Sequence, residues 1–461
     1  TMSAYAATYY AEEALLPSGW ASRVRIEVDE RGDIESVRAG STAQGEERLA
    51  GPVIPGMASL HSHAFQRAMA GSAEVMAGAE HSFWGWRAVM YRFLEQLTPE
   101  DVSAIAAFAY LEMLEAGYTS VAEFHYLHHT LSGAPYKEPA AMADAVRAGA
   151  ARVGMRHLLL PTLYQQGGFQ GEPLSGAQRR FYHDTDAFLR FYEQLRLRAT
   201  GLQTTGIALH SLRAVPKEAL LAVTNSVDGA GDACVVHIHV AEQAREVSDS
   251  VAATGRRPVE WLLETGRVSE RWCLVHATHV SATEIRDMAA SGAVVGLCPT
   301  TEGNLGDGRF PLDRLLQEGG RFGIGSDSHV SLDPREELRS LEYTLRLWRE
   351  RRVISANAAI PHCGTYLYTQ ALAGGAQAMG ESSHGLVVGA VADMVLLDTD
   401  RAEFTGLTDD ALLDAWLFAP RPQAVSAVWV AGRAVVQGGR HVAYAEVAAS
   451  YRAALKRLAK A

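Results

Sequence analysis

Through the middle of the chain, short apolar runs alternate with stretches in which apolar residues recur at helical spacing. The runs end near His63, Phe124, Leu163, Ser211, Ala241, His276, Cys298 and Asp327. Short β-rich runs separated by helical patterns predict parallel strands joined by crossover helices. Eight such units make a closed (β/α)8 barrel of the TIM type the expected α/β architecture. An open doubly wound sheet explains the same alternation, and the placement of chemistry discriminates between the two. One helix carries clear terminal signals: Thr98 as N-cap, Pro99 at the first helical position, early acids Glu100 and Asp101, a helical stretch through Leu114, and Gly117 as the stop.

The two ends of the chain follow a different rhythm. Val24, Ile26 and Val28 alternate, the turn-like stretch Asp29-Glu30-Arg31-Gly32-Asp33 follows, and Ile34 and Val37 resume the pattern. Far downstream, residues 392–398 read as a strand, and residues 428–436 as a hairpin turning near Ala431-Gly432. Neither end has enough strands to stand alone. They are expected to pair into one small β-sandwich domain built from residues 2–54 and 381–461, the latter with a terminal helix, around a catalytic barrel at 55–380.

Composition narrows the class. With 461 residues, 48% of them hydrophobic, a large core is available without disulfides or structural metals to hold it. A formal net charge of −11 with interspersed signs disfavours nucleic acid or an anionic membrane as partner. It leaves room for a small anionic substrate, because a local group of Arg can reverse the field inside a cleft. The four cysteines (Cys234, Cys273, Cys298 and Cys363) form no CxxC pair and read as buried free thiols. No apolar run is long enough to cross a bilayer, and the residues after Met2 lack the regions of a signal peptide, so a cytoplasmic location is expected.

The chemistry gathers where the runs end. In the extended segment His61-Ser62-His63, residues two apart share a face, so both imidazoles can reach one ion. Alone this signal is weak, and two unrelated loop histidines would explain it. His237-Ile238-His239 ends another strand with Glu242 three residues beyond His239; a neutral imidazole beside a carboxylate suits zinc binding with proton transfer. His237 is expected to pack in the barrel rather than ligate. His276 ends the next strand and is placed to orient a water, with His279 as a loop residue. The run Gly323-Ile324-Gly325-Ser326 delivers Asp327, whose bland alternative is a helix cap. All of these groups fall at strand C-termini, where a parallel barrel collects its catalytic residues. The metal set read from the sequence is therefore His61, His63, His239 and Asp327, with Glu242, His276 and Asp327 for proton transfer.

This constellation, with the stretch 385–393 and the late Val-Trp-Val-Ala-Gly-Arg hairpin, resembles the amidohydrolase superfamily over nearly the whole chain. The fourth strand, Gly206 to Ser211, lacks the Lys of binuclear members, so the resemblance implies one Zn2+, with Fe2+ as the alternative. Further stretches resemble the formimidoylglutamate deiminase family within it: His61 to Met69, Ser82-Phe83-Trp84-Gly85-Trp86-Arg87, Ala122 to Tyr126, His210-Ser211-Leu212-Arg213 and Asn304-Leu305-Gly306-Asp307-Gly308. That likeness implies hydrolysis of N-formimino-L-glutamate to N-formyl-L-glutamate and ammonia, a step of histidine degradation, by a homodimer. It also implies a pocket lined by Gln66, Arg87, Tyr126, His210 and Arg213.

The substrate is a dianion with an amidine end, and Arg213 beside His210 and Tyr126 offers a planar fork and two neutral donors for a carboxylate. The structural alternatives are a surface ion pair for Arg213, packing on the rim for Tyr126, structural roles for Gln66 and Arg87, and core or wall positions for Trp84 and Trp86. Other functions compete with this one: a deaminase of guanine or a related aminoheterocycle, an imidazolonepropionase, or a non-catalytic scaffold. The scaffold is disfavoured because every ligand and Glu242 is present.

Overall fold

The computed structural model describes residues 7–74, 83–229, 234–419 and 424–459. Residues 2–6, 420–423, 460 and 461 of the expected terminal domain lie outside them. Eight strands form the barrel: β1 (Met57–Ser62), β2 (Tyr118–His125), β3 (Arg156–Leu163), β4 (Ile207–Leu209), β5 (Val236–Val240), β6 (Trp272–His276), β7 (Val294–Leu297) and β8 (Arg321–Ile324). Each pairs in parallel with the next, in sequence order. The ring closes through a parallel bridge between Ser62 and Asp327. Gly325 permits that closure, since a Cβ there would sit 2.8–3.0 Å from atoms of His61. All eight strands lie within three residues of the ends read from the sequence. Their residues are buried along nearly their whole length, as expected for parallel strands covered by helices.

Residues Pro99–Ala116 form the helix that the sequence spells out. Thr98 and Asp101 make a reciprocal capping box, and Gly117 ends the helix at φ 107°. Its outer face receives the C-terminal helix Tyr444–Leu458, with Phe108 stacked on Tyr451 at 4.2 Å between ring centres.

The terminal segments meet in one continuous nine-stranded sheet. Ala7–Leu16 pairs with Gly19–Val28, and Val53–Pro55 pairs antiparallel with Met394–Leu397, which joins the N-terminal strands to the C-terminal ones. The hairpin of Val425–Val430 and Arg433–Gln437 turns at Ala431 and Gly432, both with positive φ. The two halves bury a shared core that includes Tyr9, Val24, Ile26, Met394 and Trp429. The Tyr9 hydroxyl donates to the Gly432 carbonyl at 2.7 Å across it. Arg156, at the start of β3, anchors this domain to the barrel through Asp393 (2.8 Å) and Glu381 (2.5 Å). Cys234, Cys273, Cys298 and Cys363 are buried free thiols. Among the described residues, no helix is long and apolar enough to cross a membrane.

Candidate active site

The C-terminal mouth of the barrel collects the histidines and acids. His61 Nε2 lies 3.4 Å and His63 Nε2 3.5 Å from Asp327 Oδ1, and His61 Nε2 is 3.0 Å from His239 Nε2. Zn–N bonds of about 2.0–2.1 Å in a tetrahedral shell separate ligand atoms by about 3.3 Å, so these spacings fit one ion held among them. The tautomers fit as well. His63 Nδ1 donates to the Phe124 carbonyl and His239 Nδ1 to the His210 carbonyl, both at 2.9 Å, so each Nε2 presents a lone pair to the common point. Phe124 packs against the rings of His61, His63 and His239 at 5.0, 5.5 and 4.2 Å, which fixes their orientation with apolar surface. His237, by contrast, bonds the Ala378 carbonyl at 2.8 Å, away from this cluster.

Backbone conformation contributes to the placement. His276 and Asp327 have φ of 71° and 44°, and Ala241, between His239 and Glu242, has φ of 51°. Such angles are uncommon for residues with a Cβ and gather at functional sites. Here they turn side chains at three strand ends into the mouth.

Burial sets the protonation of the cluster. It holds His63 down to about 3 and lowers His61 and His239, with neighbouring imidazoles adding to the effect on His63 and His239, so all three are neutral, as metal ligands must be. For Asp327, burial works toward a higher value, but His61, His276 and His63 outweigh it and keep the carboxyl well below the usual range. Glu242 is pushed up to about 7, chiefly by burial. His276 Nε2 lies 3.8 Å from Glu242 and 3.7 Å from Asp327 Oδ2; burial lowers its affinity for a proton, yet these acids and Glu302 raise it to about 10. A dication at the imidazole nitrogens would draw both values down. The geometry thus assembles a cation site with two proton carriers at its edge.

A cavity opens beside the cluster. Gln66, Trp86, Arg87, Tyr126, His210 and Arg213 line it, together with His63, His239, Glu242, His276 and Asp327. The structure therefore brings together every pocket residue read from the sequence; Ser82 of the surrounding motif lies outside the described residues. Arg213 is buried rather than surface-paired, and its Nε has no hydrogen-bond partner among the described residues. Gln66 Nε2 donates to the Tyr126 hydroxyl at 3.3 Å, while its buried Oε1 has no partner among the described residues. Unsatisfied buried groups of this kind carry a cost that a ligand can relieve.

Three features escaped the sequence reading. Trp84 carries the guanidinium groups of Arg87, Arg245 and Arg213 at 4.4, 4.8 and 5.5 Å from its ring centre, a cation platform rather than a core tryptophan. Beneath the cluster, Ser62 joins Glu123 (2.5 Å) to His329 Nε2 (2.8 Å), and Tyr110 also donates to Glu123. Behind His276 stands Glu302, whose Oε1 is 3.1 Å from Nδ1. The sequence signal for Glu302 was its place just before the Asn304–Gly308 motif.

Residues 53–435 match the amidohydrolase family, and the chain belongs to that family of hydrolases. Residues 7–51 match the N-terminal domain of formimidoylglutamate deiminase HutF. The chain is 50% identical to a formimidoylglutamate deiminase of Pseudomonas aeruginosa over 434 residues, 94% of this chain and 95% of that one, which places it among the formimidoylglutamate deiminases. A solved amidohydrolase from Brucella melitensis superposes with a TM-score of 0.93 at 45% identity, covering 98% of this chain and 99% of its own. An adenosine deaminase from Xanthomonas campestris, solved with bound zinc, shares the fold at a TM-score of 0.81 and 23% identity, over 98% of each chain. The family and the converging His and Asp side chains together support a bound metal.

Proposed function

We propose that the protein hydrolyses N-formimino-L-glutamate to N-formyl-L-glutamate and ammonia, in the cytoplasmic degradation of histidine. The observation that carries this reading is one cavity lined both by His63, His239 and Asp327 of the metal cluster and by the buried guanidinium of Arg213. We assign the metal to His61, His63, His239 and Asp327, as a single Zn2+ with Fe2+ as the alternative. When bound, such an ion supplies a Lewis acid that makes water a competent nucleophile near neutral pH.

The chain's own residues do the rest. Arg213, His210 and Tyr126 hold one carboxylate of the substrate, with Arg87 as the second cation and Gln66 as a neutral reader of the polar chain. Asp327 and His276 orient the attacking water and take up its proton. The water oxygen bonds to the formimino carbon, giving a tetrahedral centre. Glu242 delivers one proton to the imine nitrogen; the proton of the newly added hydroxyl passes through Asp327 and His276 to the same nitrogen as the C=O bond forms, the C–N bond breaks and ammonia leaves. One group must accept a proton and another must give one, which is why two carriers flank the site. Residues 55–380 form the catalytic unit in this scheme, residues 2–54 and 381–461 the supporting β-domain, and the working state is a homodimer.

An ammonia-release assay across N-formimino-L-glutamate, N-formimino-L-aspartate, guanine and cytosine tests the reading. Release from N-formimino-L-glutamate at the highest kcat/KM is expected. Release from guanine without turnover of the formimino acids would overturn it.

A further inference from the structure

Barrel strand β7 contributes no residue to the metal set or to proton transfer, yet the helix that follows it, Pro299–Leu305, reaches back to the site. Glu302 projects from the first turn of this helix and is buried. Its Oε1 lies 3.1 Å from His276 Nδ1 and 2.9 Å from the backbone amide of Cys298. An amide N–H can only donate, so this oxygen is an acceptor, and the ring nitrogen facing it must carry the proton. His276 is thereby fixed with Nδ1 protonated, and Nε2 is the atom turned toward Glu242 (3.8 Å) and Asp327 Oδ2 (3.7 Å). Without such a partner, a buried imidazole can flip its ring or exchange tautomers, and half of those states would aim an N–H where an acceptor is needed.

We propose that Glu302 is a positioning residue for the deimination: it locks the ring and tautomer of His276 so that Nε2 meets the proton of the attacking water. Glu302 itself does not line the cavity and is outside the assigned metal set. The helix N-terminus is held in turn by Glu337, whose carboxylate accepts from the amide (2.9 Å) and hydroxyl (2.6 Å) of Thr300, so Glu302 is presented from a braced turn. The inference rests on the proposed role of His276 in proton transfer.

Three variants test it: Glu302→Ala, Glu302→Gln and His276→Asn, each assayed with metal content measured and circular dichroism recorded. Glu302→Ala is expected to lower kcat about 10–100-fold, the range seen when a supporting hydrogen bond is removed. KM should move less than about threefold, and metal stoichiometry should stay that of the parent. Glu302→Gln keeps an acceptor oxygen in place and should recover most of the lost kcat. In metal-loaded enzyme labelled with 15N-histidine, the signals of His276, assigned from the His276→Asn spectrum, should report a protonated Nδ1 in the parent and a mixture of tautomers in Glu302→Ala. Where Glu302→Ala fails to fold, the Gln variant and the parent spectrum still decide. An unchanged kcat in Glu302→Ala, a Gln variant no better than Ala, or a parent His276 protonated at Nε2 would each overturn the proposal. Full turnover by His276→Asn would instead overturn the role of His276 on which it rests.

Discussion

Asp327 is joined to His61 through both main chain and side chain: its amide donates to the His61 carbonyl at 3.0 Å, and its Oδ1 lies 3.4 Å from His61 Nε2. The bond that closes the barrel is thus also the bond that sets the metal site, because β1 and β8 meet at these residues. Replacing Asp327 by Asn keeps the size and the main-chain bond but removes the anion that balances a dication. Asp327→Asn should fold normally by circular dichroism, retain less than about a tenth of the parent's metal after dialysis, and lose about 10²–10⁴ in kcat. In the parent, chelation should abolish activity, and one equivalent of zinc should restore it. Zinc at 1,000 times its Kd would stabilise the fold by about 4 kcal/mol, read as a shift in melting temperature. Undiminished metal content in the variant would remove Asp327 from the ligand set.

Glu242 sits next to the metal cluster without belonging to it. Its neutral, protonated form is favoured by burial, which suits a group that must hand a proton to nitrogen. Glu242→Gln has the shape and cannot make that transfer. It should keep the metal and lower kcat by about 10²–10⁴, with KM little changed. Full activity in a metal-loaded Glu242→Gln enzyme would contradict the proton-transfer role.

Arg213 is buried beside Trp84, its Nε unpartnered among the described residues, an arrangement that suits an anion. Hydrogen bonds to charged groups contribute about 1.5–3 kcal/mol, so Arg213→Ala should raise KM by about 10–150-fold. Arg213→Lys should recover only part of this, because an ammonium offers no planar fork. The matching measurement is the KM of N-formimino-L-glutamate for the three enzymes side by side. An unchanged KM in Arg213→Ala would place the substrate carboxylate elsewhere.

The barrel was legible in the sequence because fully buried parallel strands are short apolar runs, and parallel topology sends their C-termini to one mouth. His61 and His63, two residues apart at the end of β1, gained meaning only when the other strand ends supplied partners. The strand Ala7–Leu16 was harder to see: Glu12 and Glu13 break its apolar pattern, since the strand keeps part of its surface toward solvent. Arg245 was invisible for another reason. It lies in the first turn of the helix Ala244–Thr254 and looks like a solvated surface residue, and its meeting with Trp84 depends on the fold bringing distant segments together. Glu302 had a sufficient local explanation as an acid in the first turn of a helix, where the dipole favours one. Only the 3.1 Å approach to His276 points to the proposed second role.

Glu123, below the metal cluster, gives the fold a pH dependence with a definite sign. Burial raises its carboxyl from 4.5 to about 7, against the opposing bonds from Ser62, the Ala64 amide and Tyr110. The folded state therefore binds a proton more tightly than the unfolded chain. Its stability contribution is fully present below about pH 4.5 and is lost as the pH rises through about 7, a total of about 3 kcal/mol. About 2 kcal/mol of that falls between pH 5.5 and 8.5. Glu123→Gln keeps an acceptor for the Ala64 amide and a donor toward Ser62, and it carries no charge to bury. Denaturant unfolding of metal-loaded parent and variant should show the variant gaining about 2 kcal/mol on the parent between pH 5.5 and 8.5. A stability difference that stays constant over this range would mean that Glu123 does not titrate there.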